Sequence, residues 1–355
     1  MKGLVLAGGK GSRLRPLTAT GAKQLVPVGN KPVLFYAIEQ LVAAGITDLG
    51  IIIGDTGDQV RAAVGDGAAF GARVTYIPQE APLGLAHAVI TAREWLGNDS
   101  FCLFLGDNFL KGGITPYVER FVRAECAAHI LLKPVSNPSS FGVAVVAGGR
   151  IVQLIEKPRD PVSDLAVVGI YFFGPEIHTI SPRLRPSARG ELEITDAIQA
   201  LIDSDYVVRF EIITDEWIDT GKKDDLLEAN RLVLMQLTRR VEGTVDAESR
   251  LVGEVVIEPG AVITRSTVRG PAIIGVDTRL TDVYVGPFTA IGARCVLTAC
   301  EIEYSIMLDG GTIRNIGHRI ADSLIGKEVV IERSPLQPRV IRLMLGDHSQ
   351  VGIVS

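Results

Sequence analysis

The chain has 355 residues, of which 47% are hydrophobic and 22% charged, and a formal charge of −5. That length favours two domains over one, and the apolar content supplies a sizeable core, which excludes a disordered chain. The acidic balance argues against a general nucleic-acid binder, and no apolar run approaches the roughly twenty residues of a membrane span.

Glycines interrupt the first apolar run by Gly8, so the layout of a signal peptide is absent and a cytoplasmic protein is expected. Four cysteines, Cys102, Cys126, Cys295 and Cys300, show no CxxC or Cys/His metal spacing. Cys102 and Cys126 stand in apolar surroundings and read as small buried hydrophobes.

In chain order, "GLVLAG" reads as a strand buried on both faces, and "PVLFYAIEQLVAAG" as a helix ended by Gly45. "DLGIIIG" is strand-like, "GDQVRAAVG" helical, "ARVTYIPQ" strand-like, "GLAHAVITAREWLG" helical and "SFCLFLGDN" strand-like. This alternation predicts an α/β domain with a Rossmann-like, mostly parallel mixed sheet and helices on both faces. Ligands of such sheets bind beyond the carboxyl ends of the strands, where Gly8–Arg15, Gln79–Gly84 and Gly106–Asn108 all fall.

A helical pattern over 224–241 then gives way to a different texture. Between about Leu251 and Ile302 aliphatic residues recur six apart: Ile257 and Ile263, Ile274 and Leu280, then Val285, Ile291 and Leu297. A hexapeptide period predicts a parallel β-helix, with an ordinary β-sandwich as the alternative. The register slips near 266–272 and 281–284, so irregular coils are expected, and "IRNIGHRIADSLIG" and "VVIERSP" extend them. The expected division is a catalytic domain over 1–240 and a β-helix domain over 241–355.

Three kinds of glycine loop compete for the opening segment. A P-loop fails because Gly11 follows Lys10 and Leu4 stands where the first glycine is needed; a dinucleotide fingerprint fails at Leu14. What remains is a loop in which Gly8, Gly9 and Gly11 let backbone N–H groups approach an anion, with Arg13 and Lys23 close behind. Such a loop suits a triphosphate tail.

Asp107 ends an apolar strand, where an unpaired carboxylate is costly unless it faces a cation or solvent, and Asp219 is placed similarly in "EWIDTG". Carboxylates combined with phosphate oxygens are what magnesium (Mg2+) prefers. The Gln79 amide both donates and accepts, as the edge of a pyrimidine requires, and Gly84 admits the base while Leu85 packs on it. In "EKP" the Glu156 carboxylate suits hydroxyls and the Lys157 ammonium suits a phosphate.

"LAGGKGSRLRPLT" followed by "AKQLVPVGNKP" resembles the signature of the sugar-phosphate nucleotidyltransferases. The Lys23–Gln24 pair and "PQEAPLGLAHA", "FLGDN", "FGV", "IEKP", "VGIYFF", "RGELEITD" and "WIDTG" are similar, in the same order, to the glucose-1-phosphate thymidylyltransferases. The long form of that family carries a C-terminal left-handed β-helix, so the resemblance spans the chain. It implies attack of a sugar-1-phosphate oxygen on the α-phosphorus of dTTP, giving dTDP-glucose and pyrophosphate for deoxysugar biosynthesis.

Catalytic roles are implied for Arg13 on the leaving phosphates, Lys23 on the α-phosphate and Asp107, with Asp107 and Asp219 holding magnesium. The nucleotide set is Leu6, Gly8, Gly9, Gly11, Ser12, Arg13, Lys23, Gln79, Pro82, Gly84, Leu85 and Asp107. The sugar-phosphate set is Asn108, Gly142, Glu156, Lys157, Val168, Gly169, Tyr171, Arg189 and Trp217.

The implied partners are the two small-molecule substrates and further copies of the chain in a homo-oligomer, with no nucleic acid and no membrane. UTP or GTP, or another sugar 1-phosphate, remain alternative substrates. Acyl transfer at a hexapeptide coil is a second enzyme class, with His318 the one histidine of the later repeats. Departures from the short forms at Asn30, "VLFYAI" and "ITDAIQALID" mean that no allosteric site is inferred.

Overall fold

A computed structural model describes residues 1–9 and 11–333. The chain divides into two compact units: Met1–Lys10, Ala22–Leu25 and Val33–Asp219 form the first, and Gly11–Gly21, Val26–Pro32 and Thr220–Ser355 the second.

The first unit is built on a nine-stranded sheet. Its strands Lys2–Leu6, Asp48–Ile53, Arg73–Pro78 and Phe101–Leu105 are mutually parallel. Beyond them the sheet turns antiparallel: Leu165–Phe173 pairs against Phe101–Leu105, Ala128–Pro134 and Gly142–Ala147. The sheet is mixed, as expected: the first four long strands are parallel, and in the half that carries the later motifs the antiparallel pairs are joined by Val208–Ile212, which runs parallel to Ala128–Pro134.

Alternation along each strand feeds two apolar layers. Val5, Ile51, Cys102 and Phe104 face the helices Val33–Ala43, Gly57–Val64 and Thr115–Arg123. Leu4, Ile52, Phe101 and Leu103 face Leu85–Thr91 and Ile194–Asp203. Cys102 is buried as expected, and burial pushes its thiol well above the ordinary range. Cys126 is half-buried.

In the second unit short parallel strands stack as a β-helix. One face runs Arg240–Val241, Val255–Ile257, Ala272–Ile274, Thr289–Ile291, Ile306–Met307 and Leu324–Ile325. Ile257 pairs with Ile274, Ile274 with Ile291, Ile291 with Met307 and Met307 with Ile325. Each coil is thus 16 to 18 residues, close to three hexapeptides. The missing residue explains the slips in register. All seven aliphatic residues that carry the six-residue period are buried in the coil's interior. The last two residues of "VVIERSP", and everything after them in 241–355, lie outside the described residues.

The helix Lys223–Leu234 and the hairpin Pro27–Val28/Lys31–Pro32 group with the coil, although the boundary at 240 had placed them in the first domain. Leu234 packs on Val256, Ile273 and Ala290. Asn230, wholly buried, accepts from the Gly29 N–H at 2.8 Å and donates to the Phe288 carbonyl at 3.0 Å, while Asn30 donates to the Ile291 carbonyl at 2.8 Å. Asn230→Ala leaves two backbone groups without these partners and is expected to cost about 2–4 kcal/mol. A melting temperature lowered by several degrees would show it, with Asn230→Asp, which keeps the acceptor, falling in between.

Candidate active site

Three strand ends of the first unit open on one rim. The parallel order places Phe101–Leu105 beside Lys2–Leu6, then Asp48–Ile53, then Arg73–Pro78. Backbone bonds fix the turns that follow: Ala7 N–H to Ile52 at 2.9 Å, Gly106 N–H to Leu6 at 2.9 Å, and Gln79 N–H to Ile53 at 2.9 Å. Gly8, Gln79 and Asp107 therefore share an edge. Gln79 and Asp107 stand about 14 Å apart, three strand spacings. Gly8 lies so near Gly54 that a Cβ would stand 3.3 Å from its nitrogen.

At one end of this rim Lys23 is buried and pairs with Asp107, and its Nζ lies 3.7 Å from Asp219 Oδ1. Burial opposes ionisation of Asp107, but the Lys23 charge and hydrogen bonds from Lys23 and Asn108 outweigh it and hold the carboxyl below its ordinary value. The carboxylates come together because Asn108–Leu110 pairs antiparallel with Trp217–Asp219, setting Asp219 opposite Asn108. Asn108 donates to Asp107 Oδ1 at 3.1 Å and accepts from Trp217 Nε1 at 2.7 Å. Trp217 is only 8% exposed and stacks obliquely on Phe141. It positions Asn108 here and offers no open face to a sugar.

Gly169 gives Asn108 its room, since a Cβ there would stand 2.8 Å from the amide carbon. Val168 and Tyr171, expected along a sugar wall, are buried in the two cores. The Tyr171 hydroxyl is pushed above its ordinary range by burial and then by Glu156 and Asp219, so all three lie in one neighbourhood.

A second cluster surrounds Arg189. Its guanidinium reaches Glu156 at 3.2 Å, Glu191 at 3.1 Å and Glu193 at 3.4 Å, while Lys157 pairs with Glu156 at 3.5 Å. Thr195 donates to the other Glu156 oxygen at 3.2 Å. A Cβ on Gly142 would stand 2.6 Å from Thr195 Cγ2 and 3.0 Å from Glu156, so a larger residue there would push the Thr195 side chain aside. Burial, with the charges of Glu156 and Glu191 adding, raises Glu193 above the usual carboxylate range despite Ser187 and Arg189.

At the opposite end of the rim, Gln79 Nε2 lies 2.8 Å from His87 Nδ1. Gly84 takes a φ of 107°, and its neighbours are stitched to Leu192 by two backbone bonds, Leu192 N–H to Leu83 at 2.7 Å and Ala86 N–H to Leu192 at 3.0 Å. Any Cβ on Gly84 would strike the Leu192 backbone. Leu6 and Leu85 are half-buried against the second core, Gly9 is exposed and Pro82 lies exposed in the loop. Gly11, Ser12 and Arg13 belong to the second unit, where Ser12–Leu14 forms a single helical turn and both Ser12 and Arg13 are exposed.

A nucleotidyl transferase family model matches residues 2–236. The chain belongs to the nucleotidyl transferase family. A glucose-1-phosphate thymidylyltransferase of Streptomyces griseus is 52% identical over 356 residues, and one of Streptomyces antibioticus 54% over 357, each match covering all of both chains. A low-salt glycan biosynthesis nucleotidyltransferase of Haloferax volcanii is 44% identical over 99% of each chain.

Among solved structures, a Bacillus anthracis chain assigned to the glucose-1-phosphate thymidylyltransferases and crystallised with a sucrose superposes with a TM-score of 0.62 at 39% identity, over 65% of this chain and 94% of that one. A UDP-glucose pyrophosphorylase bound to UDP-glucose, at 24% identity and a TM-score of 0.59, shares the fold over 66% of this chain and 98% of its own. The family model stops near the end of the long helix, whereas the Streptomyces relatives match through the coil as well.

In this transferase the sequence reading passed over His87, Glu191, Glu193 and Thr195. The signal for the last three was present in "RGELEITD", whose acidic residues flank Arg189. Gln24, which with Gln79 favours thymidine in the sequence, was given no place in the site sets. It is almost wholly buried, its Nε2 would stand 3.2 Å from a Cβ at Gly9, and its Oε1 is a buried acceptor with no hydrogen-bond partner. Among the described residues no helix is long and apolar enough to cross a membrane.

Proposed function

We propose that the chain transfers the thymidylyl group of dTTP to glucose 1-phosphate, forming dTDP-glucose and releasing pyrophosphate. The observation that carries the reading is Lys23 held by two aspartates at the end of the rim whose other end presents Gln79. The full-length likeness to two proteins named as glucose-1-phosphate thymidylyltransferases supports the choice of base and sugar.

The chemistry joins a sugar-phosphate oxygen to the α-phosphorus while the α–β bridging bond breaks and its electron pair leaves with pyrophosphate. Two polyanions must approach in line, so the protein's task is positioning and charge neutralisation. Lys23 meets charge developing on the α-phosphate, and Arg13 takes the leaving phosphates. Gln79 reads the base edge, with the Gly84 backbone beside it. Glu156 accepts from sugar hydroxyls, while Lys157 and Arg189 hold the sugar phosphate.

Asp107 and Asp219 would hold magnesium. The donor set fits: two hard carboxylates converge on one cationic point, and magnesium takes one or two protein carboxylates with the remainder from water and phosphate. An ion held there would supply positive charge against the phosphates. Among the described residues no larger cluster of metal-ligating side chains competes.

A pyrophosphate-release assay crossing dTTP, UTP, GTP and dCTP with several sugar 1-phosphates, with and without magnesium, tests the reading. The fastest release is expected with dTTP and glucose 1-phosphate in the presence of magnesium. No release from that pair would sink the proposal, and faster release with UTP or GTP would reassign the base.

A further inference from the structure

We infer that His87 locks the orientation of the Gln79 amide and so decides which pyrimidine the site accepts. The inference rests on the reading that Gln79 contacts the base. An amide nitrogen can only donate, so the 2.8 Å contact between Gln79 Nε2 and His87 Nδ1 requires Nδ1 to accept and the ring proton to sit on Nε2. One amide N–H is thereby spent on the protein. The carbonyl Oε1 and the second N–H remain for a ligand, with their sides fixed.

Both partners are held from behind. Gln79 is tied to Ile53 by its own N–H at 2.9 Å. His87 stands on the helix Leu85–Thr91 between Ala86 and Ala88, both fully buried, and Ala86 N–H is bound to Leu192 at 3.0 Å. The backbone on each side of the contact is thereby fixed.

The consequence lies in base chemistry. Thymine and uracil offer an N3–H donor beside carbonyl acceptors, whereas cytosine offers a bare N3 acceptor beside an amino donor. An amide with Oε1 fixed toward N3 accepts from thymine or uracil and meets a lone pair on cytosine. An amide free to turn over would present its N–H to cytosine's N3 with equal ease. The His87 contact removes that freedom, and a site with fixed polar partners rejects the mismatched base because a buried group is left unpaired. Rejection of cytosine is therefore assigned to His87, and not the distinction between thymine and uracil, which differ by a methyl group alone.

The test compares kcat/KM for dTTP and dCTP, with glucose 1-phosphate and magnesium, in the full chain and in His87→Leu, His87→Ala and His87→Asn. The leucine and alanine variants are expected to lose about tenfold of the dTTP-over-dCTP preference. The loss should fall mainly on the nucleotide KM, with the KM for glucose 1-phosphate unmoved. Asparagine, whose side-chain carbonyl can stand where Nδ1 accepts, keeps most of the preference.

A ¹⁵N-histidine spectrum of the wild-type chain gives an independent reading, even where the leucine or alanine variant fails to fold. The resonance missing from His87→Asn should report an unprotonated Nδ1. A preserved preference in the leucine and alanine variants, or a protonated Nδ1 in the neutral ring, overturns the lock while leaving the dTTP reading intact. Absence of dTTP turnover in the wild type overturns that reading and the lock with it.

Discussion

Lys23→Met is expected to cut turnover roughly 10²–10³-fold, the effect of removing one preorganised charge-stabilising donor. The lysine is buried and stands between Asp107 and Asp219, so no neighbouring surface cation can substitute. Its loss also leaves a carboxylate in a place where burial disfavours charge, and breaking a buried pair costs about 3–5 kcal/mol. Asp107 keeps some solvent contact, at 19% side-chain exposure, which places the cost toward the lower end.

The pH dependence gives a signature. In the wild type the folded carboxyl of Asp107 titrates below its unfolded value of about 3.9. Its contribution is therefore complete above that value and is lost as pH falls through the lower, folded one. In the methionine variant the Lys23 contributions are gone, and the hydrogen bonds from Asn108 and the Asp107 backbone oppose burial without them. The stability gap between the two proteins should be widest near neutrality and shrink below about pH 4, which urea titrations across that range will read. Lys23→Arg should recover much of the stability but little turnover, because a guanidinium fork does not reproduce a compact ammonium. A methionine variant with near-normal turnover would remove Lys23 from the chemistry.

How far the sequence foretold this arrangement depended on how local the causes are. Gly8, Gln79 and Asp107 could be placed on one rim because each directly follows an apolar run and parallel strands share an end. The facing of Asp219 and Asn108 could not be read, since it depends on a two-strand pairing between segments more than a hundred residues apart. Trp217, Val168 and Tyr171 sit in motifs that invite a binding role. Burial shows the first supporting Asn108 and the other two packed in the cores.

The coil presents the reverse case. Its six-residue period is legible, while its corners are disguised. Gly260, Asp277, Arg294, Gly310 and Glu328 occupy equivalent corners, all with positive φ, yet two of the five, Arg294 and Glu328, carry side chains that signal no turn. A reader looking for glycine finds two corners and misses the spacing that links them. Register, set by pairing and not by composition, supplies it.

Asp107→Asn should likewise lower turnover by about 10²–10³-fold, with the fold unchanged by circular dichroism. The substitution keeps the shape of the side chain and a carbonyl that can still accept from Asn108, now at 3.1 Å. What it removes is the charge opposite Lys23, while Asp219 stays 3.7 Å from the ammonium. If these two carboxylates hold magnesium, the variant should also need more of the ion for half-maximal rate, since one of two hard ligands has become a neutral amide. Asp219→Asn shifts the same two quantities in the same direction. The double variant should lose less than the product of the single losses, because both act through one cationic point. A purely structural aspartate would lower stability without moving the magnesium requirement. A normal magnesium profile in a folded, slowed Asp107→Asn would confine its role to steadying Lys23, and near-normal turnover would place the metal elsewhere.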